Sequence, residues 1–307
     1  MQDNTQVHYN KQRLEDEIEK LARQQEYTLD SKPLQPIDAI LSTARKTLTD
    51  TYRVLARAAR KNRELSVAGE WLIDNFYIVQ EQIVQLKEDL PVSYYKKLPR
   101  LKSGSLRGYP RIYEPVVKLA SLSDNIIDRD NTGTVVQAYQ RIETLKLGEL
   151  WAIPIMIRLV LITRLAERSE QLLQAREIKN EAAATIDELL QLDLEEPGIV
   201  LRKLADIYDK PGKDRNFLIA LARQLQNRGA LTETERNWFN YKFRSWNTTL
   251  EEQLRAEAQE TSRLHLSIQN AIMTLRQVSE TDWSDFVEKT SVVERILRLD
   301  PSGYYGR

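Results

Sequence analysis

Between Ile37 and Ala59 the apolar residues Ile37, Ile40, Leu41, Ala44, Leu48, Leu55 and Ala59 recur at helical spacing, and this stripe constrains the chain more than any other feature. Arg45, Lys46, Arg53, Arg57 and Arg60 cover the opposite side. The segment is therefore an amphipathic helix whose apolar face needs a second element to cover it. The same spacing returns in Leu14, Ile18 and Leu21, in Trp71, Leu72, Phe76, Val79, Ile83 and Leu86, and in Leu250, Leu254, Leu264, Ile268, Ile272 and Leu275. With only ten glycines and ten prolines in 307 residues, little interrupts these stripes. No alternation of period two is long enough to demand a sheet. The pattern predicts an all-α fold, a multi-helix bundle-like domain of one or two helical lobes with ten or more helices.

Helix-stop signals divide the chain softly. Residues 1–32 read as a polar leader with a short helix over 11–26, ended by Pro33 and Pro36. Residues 33–196 form a first helical lobe and 197–307 a second, separated near Pro197-Gly198 and Pro211-Gly212, although one continuous domain fits as well. Within the first lobe, Ser66 is placed to cap a helix from about Gly69 to Asp89. Further helices are expected over 113–122, 134–142 and 147–174, the last running on to Leu190. Thr232-x-x-Glu235 and Ser291-x-x-Glu294 have capping-box spacing.

Charge and cysteine content remove several function classes. Forty-five basic residues balance forty-five acidic ones, which argues against a nucleic-acid binder that must offset phosphates. The absence of cysteine excludes disulfides, thiolate catalysis and zinc–thiolate sites, and fits a reducing compartment. The polar start, MQDNTQVHYNKQRLEDEIEK, carries no signal peptide. Leu150 to Leu165 is the most apolar run, but it is short of a membrane span and contains Arg158 and Arg164. It is expected to be a buried core helix, so no transmembrane helix is expected in this segment.

Residues that carry chemistry are sparse. The two histidines, His8 and His265, form no metal-ligand pattern, and neither a P-loop nor a dinucleotide-binding glycine motif occurs. Asp124, Asp128 and Asp130 lack the spacing of magnesium-binding aspartates and read as turn and helix-end residues, with a turn at Asn131-Thr132-Gly133. No general acid, base or metal ligand is assigned. The dense aromatics Trp238, Phe239, Tyr241, Phe243 and Trp246 suit a packing knot between helices or a partner-binding face.

One irregular segment, Pro91 to Tyr113, interleaves aromatic and cationic side chains: Tyr94, Tyr95, Lys96, Lys97, Arg100, Lys102, Arg107, Tyr109, Arg111 and Tyr113. Such a surface can stack on a sugar, contact anionic headgroups or dock another domain. In the competing arrangement the tyrosines bury their rings beneath a proline-fixed loop and the cations stay solvated. Tyr94, Tyr95, Lys96, Lys97, Arg107, Tyr109, Arg111 and Tyr113 are the candidate binding or docking residues.

The run Ala68 to Ile83, AGEWLIDNFYIVQEQI, resembles a signature found near the start of cyclic β-1,2-glucan synthases, with Gly69 where that family often has alanine. Asp89-Leu90-Pro91, Tyr94-Tyr95, Leu98-Pro99, Gly108-Tyr109-Pro110-Arg111-Ile112-Tyr113, Ala138-Tyr139-Gln140 and Gly148 to Pro154 continue the likeness in order. Ile268 to Ser279, Asp282-Trp283, Phe286, Val293-Glu294 and Leu297 to Tyr305 complete it. The resemblance implies a non-catalytic helical N-terminal module of a large membrane glycosyltransferase, on the cytoplasmic side of the bacterial inner membrane. It implies UDP-glucose as the parent's donor, no cofactor in this segment, and the parent's other domains as partners. A carbohydrate-binding module for β-1,2-glucan is the alternative. A stand-alone, metal-dependent all-α lyase, resting on the Asp124–Asp130 cluster, is the second.

Overall fold

The computed structural model describes residues 3–29, 37–191, 199–208 and 214–297. They form helices α1 (Asp3–Gln24), α2 (Ile37–Arg60), α3 (Val67–Asp74), α4 (Phe76–Asp89), α5 (Val92–Tyr95), α6 (Tyr113–Leu122), α7 (Arg129–Gln140) and α8 (Leu147–Leu190). Helices α9 (Ile199–Tyr208), α10 (Arg215–Asn227), α11 (Glu233–Phe243), α12 (Leu250–Glu280), α13 (Trp283–Thr290) and α14 (Val292–Leu297) follow. The fold is all-α. Among the described residues it departs from this in a minimal antiparallel ladder of β1 (Tyr27–Thr28) and β2 (Arg100–Leu101), pairing Tyr27 with Leu101 and Thr28 with Arg100, and in an isolated bridge between Arg100 and Pro110. Two residues per strand are too few to leave an alternating pattern in the sequence.

The chain forms two compact units, Met1–Ser169 with Ser267–Arg307, and Glu170–Leu266. The boundaries expected after residues 32 and 196, and the turns at Pro197-Gly198 and Pro211-Gly212, lie outside the described residues.

In the first unit the α2 stripe is buried at Ile37, Leu41, Ala44, Leu48 and Leu55, whereas Ile40 is half-buried and Ala59 is exposed, Ala58 taking its place in the interior. Helices α3 and α4 pack on α2. The expected single helix over 69–89 is broken at Asn75, whose side-chain amide and backbone N–H both donate to the Trp71 carbonyl. An asparagine that bonds back to a carbonyl one turn earlier competes with the helical ladder. Ser66 does cap α3, its hydroxyl accepting from Gly69 N at 3.2 Å. The first half of α8 runs through the core, with Ile153, Met156, Ile157, Leu159, Val160, Leu161, Ile162 and Leu165 buried, as a central core helix must be. Among the described residues no helix is long and apolar enough to cross a membrane.

Helix α7 begins earlier than the sequence suggested. Asp128 is its N-cap: Oδ1 accepts from Asn131 N at 2.8 Å, and the Asn131 side chain accepts from Asp128 N at 3.1 Å. The run Asn131-Thr132-Gly133 is therefore helical, not a turn. Asn takes the place of the usual Glu or Gln in this capping box, which hid it.

Immediately before α7 the chain bends sharply. Asp124 and Asn125 both adopt left-handed backbone conformations, at φ 49° and 66°. Asn125 is buried, and its Nδ2 donates to Ser267 Oγ at 2.9 Å, while its Oδ1 accepts from Arg164 Nε at 2.6 Å. Its own carbonyl accepts from Thr274 Oγ1 at 2.7 Å. One side chain thus ties the α6–α7 bend to α8 and α12.

The second unit is built on Ala182, Ile186, Leu204, Phe217, Leu218, Leu221, Leu225, Phe239, Phe243, Leu250 and Leu254. Asp214 caps α10 through Phe217 N, and Glu235 of the expected capping box accepts from Thr232 N at 3.1 Å. The aromatic group divides: Phe239 and Phe243 are fully buried with rings 6.3 Å apart, whereas Tyr241 is 69 % exposed. The knot is real at Phe239 and Phe243, and Tyr241 belongs to the surface.

Replacing Asn125 by alanine removes its side-chain bonds to Ser267 and Arg164 and keeps an L side chain at positive φ. The expected cost is about 2–4 kcal/mol, measured by urea denaturation followed by circular dichroism. Asn125→Gly should recover a part of that loss, the part due to backbone strain.

Candidate functional site

The acid-free segment from Pro91 to Tyr113 is held in shape by two buried arginines. Arg100, in β2, is fully buried; its Nη2 donates to the Tyr95 carbonyl at 2.7 Å and its Nη1 to the Gly108 carbonyl at 3.0 Å. Its guanidinium also lies 4.3 Å from the centre of the Tyr95 ring, a stacking geometry that suits a weakly hydrated planar cation. Gly108, at φ 87°, closes the loop by donating its N–H to the Leu101 carbonyl.

Arg111 makes the stronger contact. Its Nε and Nη2 donate to Glu149 Oε1 and Oε2 at 2.7 and 2.9 Å, a bidentate pair in which both side chains are 1 % exposed. Nη2 also donates to the Thr144 carbonyl at 2.9 Å. Tyr27 covers the guanidinium, its ring centre 4.0 Å away, and donates its hydroxyl to Glu143 at 2.8 Å. Tyr139 donates to Gln25, and Gln25 donates to Glu114 and to the Arg111 carbonyl. Glu149 also accepts from Lys146 N at 2.9 Å, just before α8. Here a carboxylate at a helix start, favoured by the helix dipole, doubles as the counter-ion of a buried cation.

Burial and bonding shift the groups around this centre. Desolvation alone would lower the Arg111 pKa, but the Glu149 hydrogen bond and charge outweigh it and hold the cation more firmly protonated. Burial pushes the Tyr94 and Tyr113 phenols up to about 12, and raises Tyr139 further still. Tyr94 donates its hydroxyl to the Gly148 carbonyl, anchoring α5 to the first turn of α8.

The eight candidate residues therefore do not form one surface. Tyr95, Arg111 and Tyr113 are interior, Tyr94 and Tyr109 are half-buried, and Lys96, Lys97 and Arg107 face solvent. Tyr109 stacks on Tyr113 at 4.8 Å, which turns both rings inward. Of the two arrangements open to the sequence, buried tyrosines with solvated cations describes most of the segment, except that Arg100 and Arg111 are buried as well. Glu149, Tyr27, Tyr139, Gln25 and Glu143 were not singled out beforehand. The Lys146-x-x-Glu149 spacing ahead of an apolar run was the available signal for Glu149.

Other candidates are otherwise occupied. The Asp128 carboxylate serves as the α7 cap, and among the described residues no group of three His, Cys, Asp or Glu side chains is placed to hold a metal ion. An open groove of about 600 Å³, lined by Ala59, Asn62, Arg63, Glu64, Leu65, Glu70, Ile73 and Asp74, shares no residue with the arginine segment.

No protein-family model matches the chain. Over 254 residues, 82 % of its length, it is 28 % identical to the cyclic β-(1,2)-glucan synthase NdvB of Rhizobium meliloti (strain 1021). The chain resembles a region of that synthase. It spans 9 % of the enzyme's length. The match covers 254 of the 307 residues, a longer stretch than the separate blocks around Trp71, Tyr109–Tyr113 and Glu149. Arg111 and Glu149, which carry two of those blocks, are joined in the structure by direct hydrogen bonds.

Removing one partner of the pair leaves the other charge buried. Arg111→Ala is expected to destabilise the first unit by about 3–5 kcal/mol, measured by chemical denaturation. The buried phenols set an alkaline limit. Their folded pKa values lie above the ordinary 10.0, so the unfolded chain loses these protons first and stability falls as pH rises above about 10. Tyrosinate absorbance near 295 nm should then appear together with the loss of helical circular dichroism.

Proposed function

We propose that the chain is a non-catalytic helical module of a cyclic β-1,2-glucan synthase, which docks the UDP-glucose-dependent glycosyltransferase and the later modules of that enzyme. The observation that carries this reading is the 28 % identity to the synthase over 82 % of the chain. The chemistry of the interior supports it. The buried polar cluster around Arg111 is used for architecture: Arg111 donates to Glu149 and to the Thr144 carbonyl, and Glu149 also closes the start of α8. A general base or nucleophile needs a free, directed lone pair within reach of a substrate. In this reading the module sits on the cytoplasmic side of the bacterial inner membrane, the other domains of the synthase are its partners, and the donor sugar is bound elsewhere.

Complementation provides the test. A synthase lacking the matching region should lose cyclic glucan synthesis and regain it when this chain is supplied as a separate polypeptide. Undiminished synthesis by the shortened enzyme, or release of UDP from UDP-glucose by the purified chain alone, would overturn the proposal.

A further inference from the structure

We propose that one basic face of the first unit binds an anionic lipid surface, a function that stands independently of the synthase reading. The face is assembled by the two anchors already described. Arg100 draws the Tyr95 and Gly108 carbonyls onto one guanidinium, which brings the exposed neighbours Lys96, Lys97 and Arg107 together around it. The Tyr94 bond to Gly148 then sets this cluster beside the first turn of α8, where Lys146 is exposed and Leu147 and Trp151 are 49 % and 43 % exposed. Leu147 and Trp151 are one turn apart and share a face.

The charge of this face is unbalanced locally although the chain is neutral overall. No acidic residue occurs between Pro91 and Tyr113. Of the nearby carboxylates, Glu149 is buried against Arg111, while Glu143 and Asp89 stay partly exposed but are each paired, Glu143 with Tyr27 and Asp89 with Arg158 at 2.6 Å. Glu26 stands across the ladder from Lys102, whose N–H it accepts through its carbonyl, so Lys102 is left out of the cationic set. Lysine and arginine head groups beside an exposed tryptophan and leucine match a bilayer surface, where anionic head groups lie over acyl chains. A neutral glucan would leave the cations without a role, and a phosphate polymer would leave Leu147 without one.

The experiment is co-sedimentation of the intact chain with vesicles of phosphatidylcholine, with and without about one-third phosphatidylglycerol. Binding is expected only to the anionic vesicles and should weaken as salt is raised. The triple variant Lys96→Gln/Lys97→Gln/Arg107→Gln should bind on the order of a hundredfold more weakly. Arg45→Gln/Lys46→Gln/Arg57→Gln changes net charge equally on the exposed side of α2 and should change binding by less than about threefold. The blue shift of tryptophan emission on adding vesicles should disappear in Trp151→Phe. Thermal melts of the variants should match the parent, because every substituted residue is exposed. Equal losses in the two triple variants would reduce the effect to net charge and overturn the proposal. Binding to phosphatidylcholine alone would do the same, as would saturable binding of linear β-1,2-glucan without any vesicle binding.

Discussion

The contact between Arg111 and Glu149 organises the first unit more than any other polar interaction. Each partner is nearly fully buried, so each is a large desolvation cost unless the other is in place. The geometry that offsets this cost is specific: two parallel hydrogen bonds in the plane of the guanidinium, a third from the same cation to the Thr144 carbonyl, and a tyrosine ring over its face. Satisfying it fixes the end of the irregular segment against the start of α8. It also brings Tyr27 and Gln25, at the end of α1, against the same centre. An apolar pair of similar volume would tolerate slippage along the helix. A bidentate ion pair does not, and it therefore sets register as well as proximity.

The other features of the segment follow from this fixed end. With Arg111 held, Arg100 is left to gather the loop around two carbonyls, and Tyr109 and Tyr113 stack inward. The cations that cannot be paired inside are pushed to the surface as a group. The separation of internal and external cations is one outcome of one packing arrangement, which is why a structural core and a candidate recognition face lie within the same twenty-odd residues. The buried set gives the module its shape. The exposed set gives it something to bind.

The second unit depends on different physics. Its core is aliphatic and aromatic, and the charged contacts such as Arg223 with Glu257 are partly exposed and weak by nature. Its helices are delimited by local caps, at Asp214 and at Thr232 with Glu235. The Thr232 cap was legible in the sequence because capping-box chemistry is confined to four consecutive residues, whereas Asp214, with no Glu or Gln three residues on, was not. The Asn75 break and the early start of α7 were less legible. In both, an asparagine side chain takes a role that spacing rules usually assign elsewhere, in one case bonding to the Trp71 carbonyl and in the other closing on Asp128.

Sequence alone determined the class of the fold, most of the α2 stripe, the central core helix in α8, the limits of α6 and α8 and the likeness to a region of a glucan synthase. All of these rest on information carried within a few turns of helix or in collinear strings. Tertiary structure alone decided which cations of the Pro91–Tyr113 segment are architecture and which are surface. Lys96, Lys97 and Arg107 look the same in sequence as Arg100 and Arg111. What separates Arg111 is a carboxylate 38 residues away and a tyrosine on β1, and what separates Arg100 is the fold of its own loop, which turns the Tyr95 and Gly108 carbonyls onto it. A buried charge is stable only where its partners converge in space, and residue spacing alone does not reveal that convergence.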